Sequence, residues 1–109
     1  MTFASAGTLG VKPGNRDALV EILTRDNPEL ASAAGCLLFE VGVNDDEPDY
    51  VFVIELWESA EAHQESLQLG SVRAAIAEAM PLLSGQMSGS RFAIVGSPLR
   101  SATSGSHAT

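Results

Sequence analysis

The chain has 109 residues, 45% of them hydrophobic and 18% charged, a folded composition with room for one modest core and too little length for two domains. Six Lys and Arg against fourteen Asp and Glu leave a formal charge of −8, which argues against nucleic acid and anionic membrane surfaces as partners. No apolar run approaches the ~20 residues that cross a bilayer, no secretory signal opens the chain, and the lone Cys36 can form neither an internal disulfide nor a CxxC clip, so a soluble cytoplasmic protein is expected.

In chain order, residues 3–11 read as a strand that stops at the turn signal Lys12-Pro13-Gly14. A helix follows, with Asn15 as N-cap, Asp17 in the first turn, and Leu19, Ile22 and Leu23 along one face. Pro28 interrupts it, and Asn27-Pro28-Glu29 has the form of a cap, a first helical position and a first-turn acid, predicting a short second piece to about Ala34. Residues 36–43 and 50–57 are strand-like, and the polar loop between them makes an antiparallel hairpin. Ser59 caps the next helix, Ser71 caps a renewed one, and Val72, Ala75, Ile76, Ala79, Met80 and Leu83 follow at helical spacing before Gly85. A last strand is expected over residues 86–95. The domain therefore covers residues 1–98, and residues 99–109, small and polar, read as a disordered tail.

The order βαββαβ, with right-handed crossovers, predicts an α+β fold of the ferredoxin-like kind, a four-stranded antiparallel sheet with both helices on one face. Alternation places Val51, Val53, Glu55 and Trp57 on one side of the third strand and Phe52, Ile54 and Leu56 on the other, so both sides are apolar. In the second strand Leu37, Phe39, Val41 and Val43 oppose Cys36 and Leu38. Two helices cover one face only, so the other is expected to pack against a second copy, giving a homodimer.

Few side chains have catalytic potential. His63 is the one imidazole outside the tail, and reads either as an exposed helix residue or as a base or hydrogen-bond donor at a pocket mouth. Trp57 is either a core aromatic or one whose indole N–H points at a ligand. Glu55, a carboxylate on an apolar strand face, is either paired with Arg91 on the last strand or held with a raised pKa beside a cavity. The acidic loop Asp45-Asp46-Glu47-Pro48-Asp49 lacks the spacing and glycine of a calcium loop, Cys36 has no basic neighbour in sequence to activate it, and no metal site is expected. Phosphate-binding glycine loops, GxSxG and HExxH are absent.

The segments Gly35-Cys36-Leu37-Leu38-Phe39 and Glu55-Leu56-Trp57-Glu58-Ser59-Ala60-Glu61-Ala62 match the patterns GC-x-x-[YF] and E-x-W-x-S-x-E-A. On these the chain resembles the antibiotic biosynthesis monooxygenase family, over residues 8–95. The resemblance implies a dimeric α+β barrel and a pocket between sheet and helices. It also implies a cofactor-independent oxidation, by molecular oxygen, of a quinol-like or polycyclic phenolic substrate. Such an oxidation needs only a base and donors that steady an anion, so the expected residues are His63 as base, Trp57 and Ser66 as donors, and Glu55, Phe39 and Ile76 as substrate-binding residues. Two positions where many members carry histidines hold Ser66 and Ser71, and Leu69-Gly70 replaces a Ser-Pro pair, so the haem-degrading chemistry of distant relatives is not expected. The competing readings are a non-catalytic small-molecule-binding or regulatory dimer, and a purely structural module.

Overall fold

A computed structural model of the chain describes residues 1–32 and 35–99. The elements run β1 (Phe3–Val11), α1 (Arg16–Leu23), α2 (Pro28–Ala31), β2 (Cys36–Gly42), β3 (Tyr50–Trp57), α3 (Ala60–Ser66), α4 (Gly70–Ala79), a 3₁₀ turn (Met80–Leu82) and β4 (Leu83–Ala93). The strands form one antiparallel sheet in the order β2-β3-β1-β4, the ferredoxin-like α+β arrangement that the sequence predicts. Ala34 and the tail from residue 100 lie outside the described residues.

Local chemistry sets the boundaries. The Asn27 side chain accepts the Leu30 N–H at 2.9 Å and Ser59 accepts that of Ala62 at 3.0 Å, each satisfying a donor that the first helical turn leaves free. Asn15 stands at the N-cap of α1, but its side chain donates back to the Pro13 carbonyl instead of capping. Ser71 does not cap α4, whose N-cap is Leu69. The Ser71 N–H is instead satisfied from α2, by the Glu29 carboxylate at 2.9 Å, while the Ser71 hydroxyl meets the Asn27 side chain at 3.0 Å. The Ser71 hydroxyl, and then its N–H, hold the Glu29 carboxyl below the usual carboxylate range.

The helical pattern extending to Leu83 is cut short. Pro81 has no N–H to continue the ladder, so α4 ends at Ala79 and the chain tightens through the 3₁₀ turn. β4 then begins three residues earlier than expected, because Gly85 is part of the strand: its φ of 91° sits in an irregularity where Leu9 pairs Met87 but Val11 pairs Leu83.

A second irregularity, between Cys36 and Leu38, corrects the face assignment in β2. Cys36 pairs with Trp57 and Phe39 with Glu55, so Cys36, Phe39 and Val41 share the helix-covered face, and Leu37 is the extra residue. The buried core, Val11, Leu19, Ile22, Val51 and Ala79, lies where α1 and α4 cross that face. The opposite face carries Leu38, Leu56, Ala4 and Phe92 in one row across the sheet and Ile54 in the next. Ile54 is 51% exposed and Phe92 46%.

Candidate functional site

Beyond the core, the helix-covered face opens into a cleft of about 1720 Å³. Its end at the β3–α3 junction is built from three side chains. Glu55 and Trp57 are two apart on β3 and project to the same side, and the Trp57 indole Nε1–H donates to Glu55 Oε1 at 3.0 Å. Ser59 caps α3 directly after the strand, which brings His63, one turn along, over the same spot with Nε2 3.7 Å from Glu55 Oε1. The imidazole sits between two rings, its centroid 5.5 Å from both Phe3 and Trp57, the latter edge-on at 65°.

His63 is therefore buried, at 6% exposure, and not the exposed helix residue that was one of its two readings. Strand parity sends Trp57 under α3, so His63, Trp57, Glu55 and Ser66 all border one cleft. Glu55 is not paired with Arg91: β1 lies between them, with Ser5 directly opposite Glu55 on one side and opposite Arg91 on the other. The carboxylate is instead held by Trp57 and His63 on its own side of the sheet.

The donors are committed. The Trp57 N–H is engaged by Glu55, and the Ser66 hydroxyl donates to the His63 carbonyl at 2.6 Å, closing the last turn of α3. What the junction offers a ligand is an acceptor, the Glu55 carboxylate, whose side chain is 18% exposed. Phe39, opposite Glu55 on β2, and the half-exposed Ile76 on α4 border the cleft as apolar walls. Cys36 also borders it. Burial, with the neighbouring Glu55 carboxylate adding to it, pushes its thiol pKa up, so it stays protonated at neutral pH and is a poor nucleophile.

Sequence reasoning did not single out Ser5, which completes the row Phe39, Glu55, Ser5, Arg91 across the floor. Its signal was a hydroxyl at an inward position of β1 between Phe3 and Gly7. Among the described residues no group of three or more His, Cys, Asp and Glu side chains is placed to hold a metal ion. No described helix is long and apolar enough to cross a membrane.

The fold has close counterparts among solved structures. A Chloroflexus aurantiacus protein provisionally named an antibiotic biosynthesis monooxygenase is 33% identical, with a TM-score of 0.77 over 89% of this chain and 96% of that one. Two similarly named proteins, from Caulobacter crescentus and Deinococcus radiodurans, share the fold at 21% and 22% identity, with TM-scores of 0.76 and 0.73 over 87% of this chain. They are covered over 91% and 94% of their own lengths. No curated protein matches the sequence. The family model for antibiotic biosynthesis monooxygenases matches residues 2–78, and with the Chloroflexus likeness this establishes that the chain belongs to that family.

Proposed function

We propose that the protein is a monooxygenase that oxidises a quinol-like or polycyclic phenolic compound with molecular oxygen, with Glu55 receiving the substrate's acidic proton. One observation carries this reading: a carboxylate oriented by the Trp57 N–H, backed by His63, and bordering an apolar cleft. A phenol or quinol presents an O–H donor on a flat ring, and the junction presents an acceptor beside apolar walls. Transfer of that proton to Glu55 leaves an electron-rich anion, and His63 Nε2 is the next station for the proton.

The anion delivers one electron to oxygen, the resulting radical pair combines through a new C–O bond, and the proton taken up at Glu55 returns to the peroxide; its O–O bond then breaks as the carbon's remaining hydrogen leaves in water, so a CH₂ carbon of the substrate's keto form and O₂ give C=O and H₂O. The electrons come from the substrate, and the chemistry calls for no metal or flavin. Trp57 and Ser66 act as positioning residues, the first on Glu55 and the second on the end of α3. Phe39 and Ile76 hold the rings. The assembly that this reading favours is a dimeric barrel with the uncovered sheet faces together, burying on the order of 1,000 Å² or more of total surface.

Oxygen uptake with a panel of quinols and hydroxyanthrones tests the reading. Uptake above the protein-free rate is expected with at least one, and Glu55→Gln should lower kcat by about 10²-fold. If no compound is turned over, the monooxygenase reading falls and the binding-protein reading takes its place. Unchanged turnover in Glu55→Gln overturns the role of Glu55.

A further inference from the structure

We propose that Arg91 receives an anionic group of the ligand, so that the cleft selects a hydroxylated aromatic acid over a neutral phenol. The inference builds on the proposed function by naming the substrate class, and it starts from an imbalance of charge. In a chain with fourteen acids, the other arginine that borders the cleft is neutralised: Arg25 is held by Glu21 and Glu78 at 2.7 Å each. Arg91 also borders the cleft, yet none of the ion pairs or side-chain hydrogen bonds among the described residues engages its guanidinium.

Its position defines what it can meet. Glu55, Ser5 and Arg91 stand opposite one another on β3, β1 and β4 and share the helix-covered face, so an acceptor and a cation lie two strands, about 10 Å, apart. In the adjoining row Gly7 pairs with Gly89, and a methyl group on Gly7 would collide with the Ser88 carbonyl, so that strip of floor carries no side chains. A two-ring aromatic lying flat on this strip spans the separation, its hydroxyl at Glu55 and an opposite carboxylate on the planar fork of Arg91. The rest of the molecule opposes such a ligand, since its net charge is −8; any preference for an anion must therefore come from this one site.

Anaerobic calorimetric titration with 6-hydroxy-2-naphthoate and 2-naphthol, at one ionic strength, reads this out without turnover. The folded protein should bind the carboxylate about ten-fold more tightly than the neutral phenol. Arg91→Gln should abolish that preference while leaving 2-naphthol affinity in place, and Arg91→Lys should keep part of it. Arg73→Gln, which removes a cation from α4 outside the cleft, should change nothing. Equal affinities in the unmutated protein, failure to bind either probe, or a preference surviving Arg91→Gln overturns the proposal. A retained preference in a protein that consumes no oxygen with any quinol would leave Arg91's role standing and remove the monooxygenase reading alone.

Discussion

The two faces of the sheet are both apolar in sequence, and they meet different fates. On the covered face, α1, through Leu19, and α4 close over Val11 and Val51, all three 0 to 2% exposed, while farther along the same strands the face opens into the cleft and carries polar side chains. On the other face none of the described residues covers Ile54 or Phe92. Apolar character thus says that a residue is to be buried and leaves open what buries it. Packing closes one stretch of the covered face and leaves another as a cleft, whereas the uncovered face keeps Ile54 and Phe92 about half exposed.

The largest effect that separates the faces belongs to Leu19, fully buried at the centre of the covered core. Leu19→Ala removes its packing and leaves a cavity, so thermal or denaturant unfolding should show a loss of about 3 kcal/mol, enough to lower the melting temperature of a domain this size by 10 °C or more. A loss below about 1 kcal/mol would mean that α1 does not hold the core closed.

On the uncovered face the expected effect is smaller per residue and differs in kind. Ile54→Lys should remove about 1–2 kcal/mol of apolar burial per protomer and set two like charges close together between the packed faces. Sedimentation should show the unmutated protein as a dimer and the variant as a monomer or an aggregate. A well-behaved monomer of the unmutated protein at low concentration would sink the sheet-to-sheet dimer.

How much of this was legible follows from which signals are local. The strand and helix order, the Asn27 and Ser59 caps and the faces of β3 are periodicities and short-range bonds, and the structure agrees with them. The family pattern, too, lay in two short segments of sequence. The strand misplacements were of register: an extra residue at Leu37 turns Cys36 to the covered face, and the same kind of irregularity at Gly85 lengthens β4. A sequence does not announce a bulge, because the residue that makes it is ordinary and its partner strand is elsewhere. The Glu55–Arg91 expectation failed for that class of reason, since the sheet order places β1 between them, a fact of long-range pairing. Local signals also misled at the helix starts, where Asn15 and Ser71 do not cap, and Pro81 was passed over. It ended α4 where the apolar spacing ran on.

The smallest expected effect lies at the rim of the covered face, where Arg25 clamps α1 to α4 and borders the cleft. Hydrogen bonds from the Arg25 guanidinium lower the pKa of both Glu21 and Glu78 from an ordinary value of 4.5. A carboxylate with a folded-state pKa below its unfolded one contributes stability above the unfolded value, and that contribution is lost as the pH falls through the folded one. The clamp should therefore be at full strength at neutral pH and fade as the pH falls below the ordinary carboxylate range. These side chains are solvent-exposed, so salt and water weaken the pairs and the effect on stability is modest. Thermal melts of the unmutated protein and Arg25→Gln should differ slightly at pH 7 and converge on acidification, whereas Leu19→Ala should stay separated throughout. A gap for Arg25→Gln that persists unchanged at low pH would mean that the side chain holds the helices by its aliphatic stem and not by its charge.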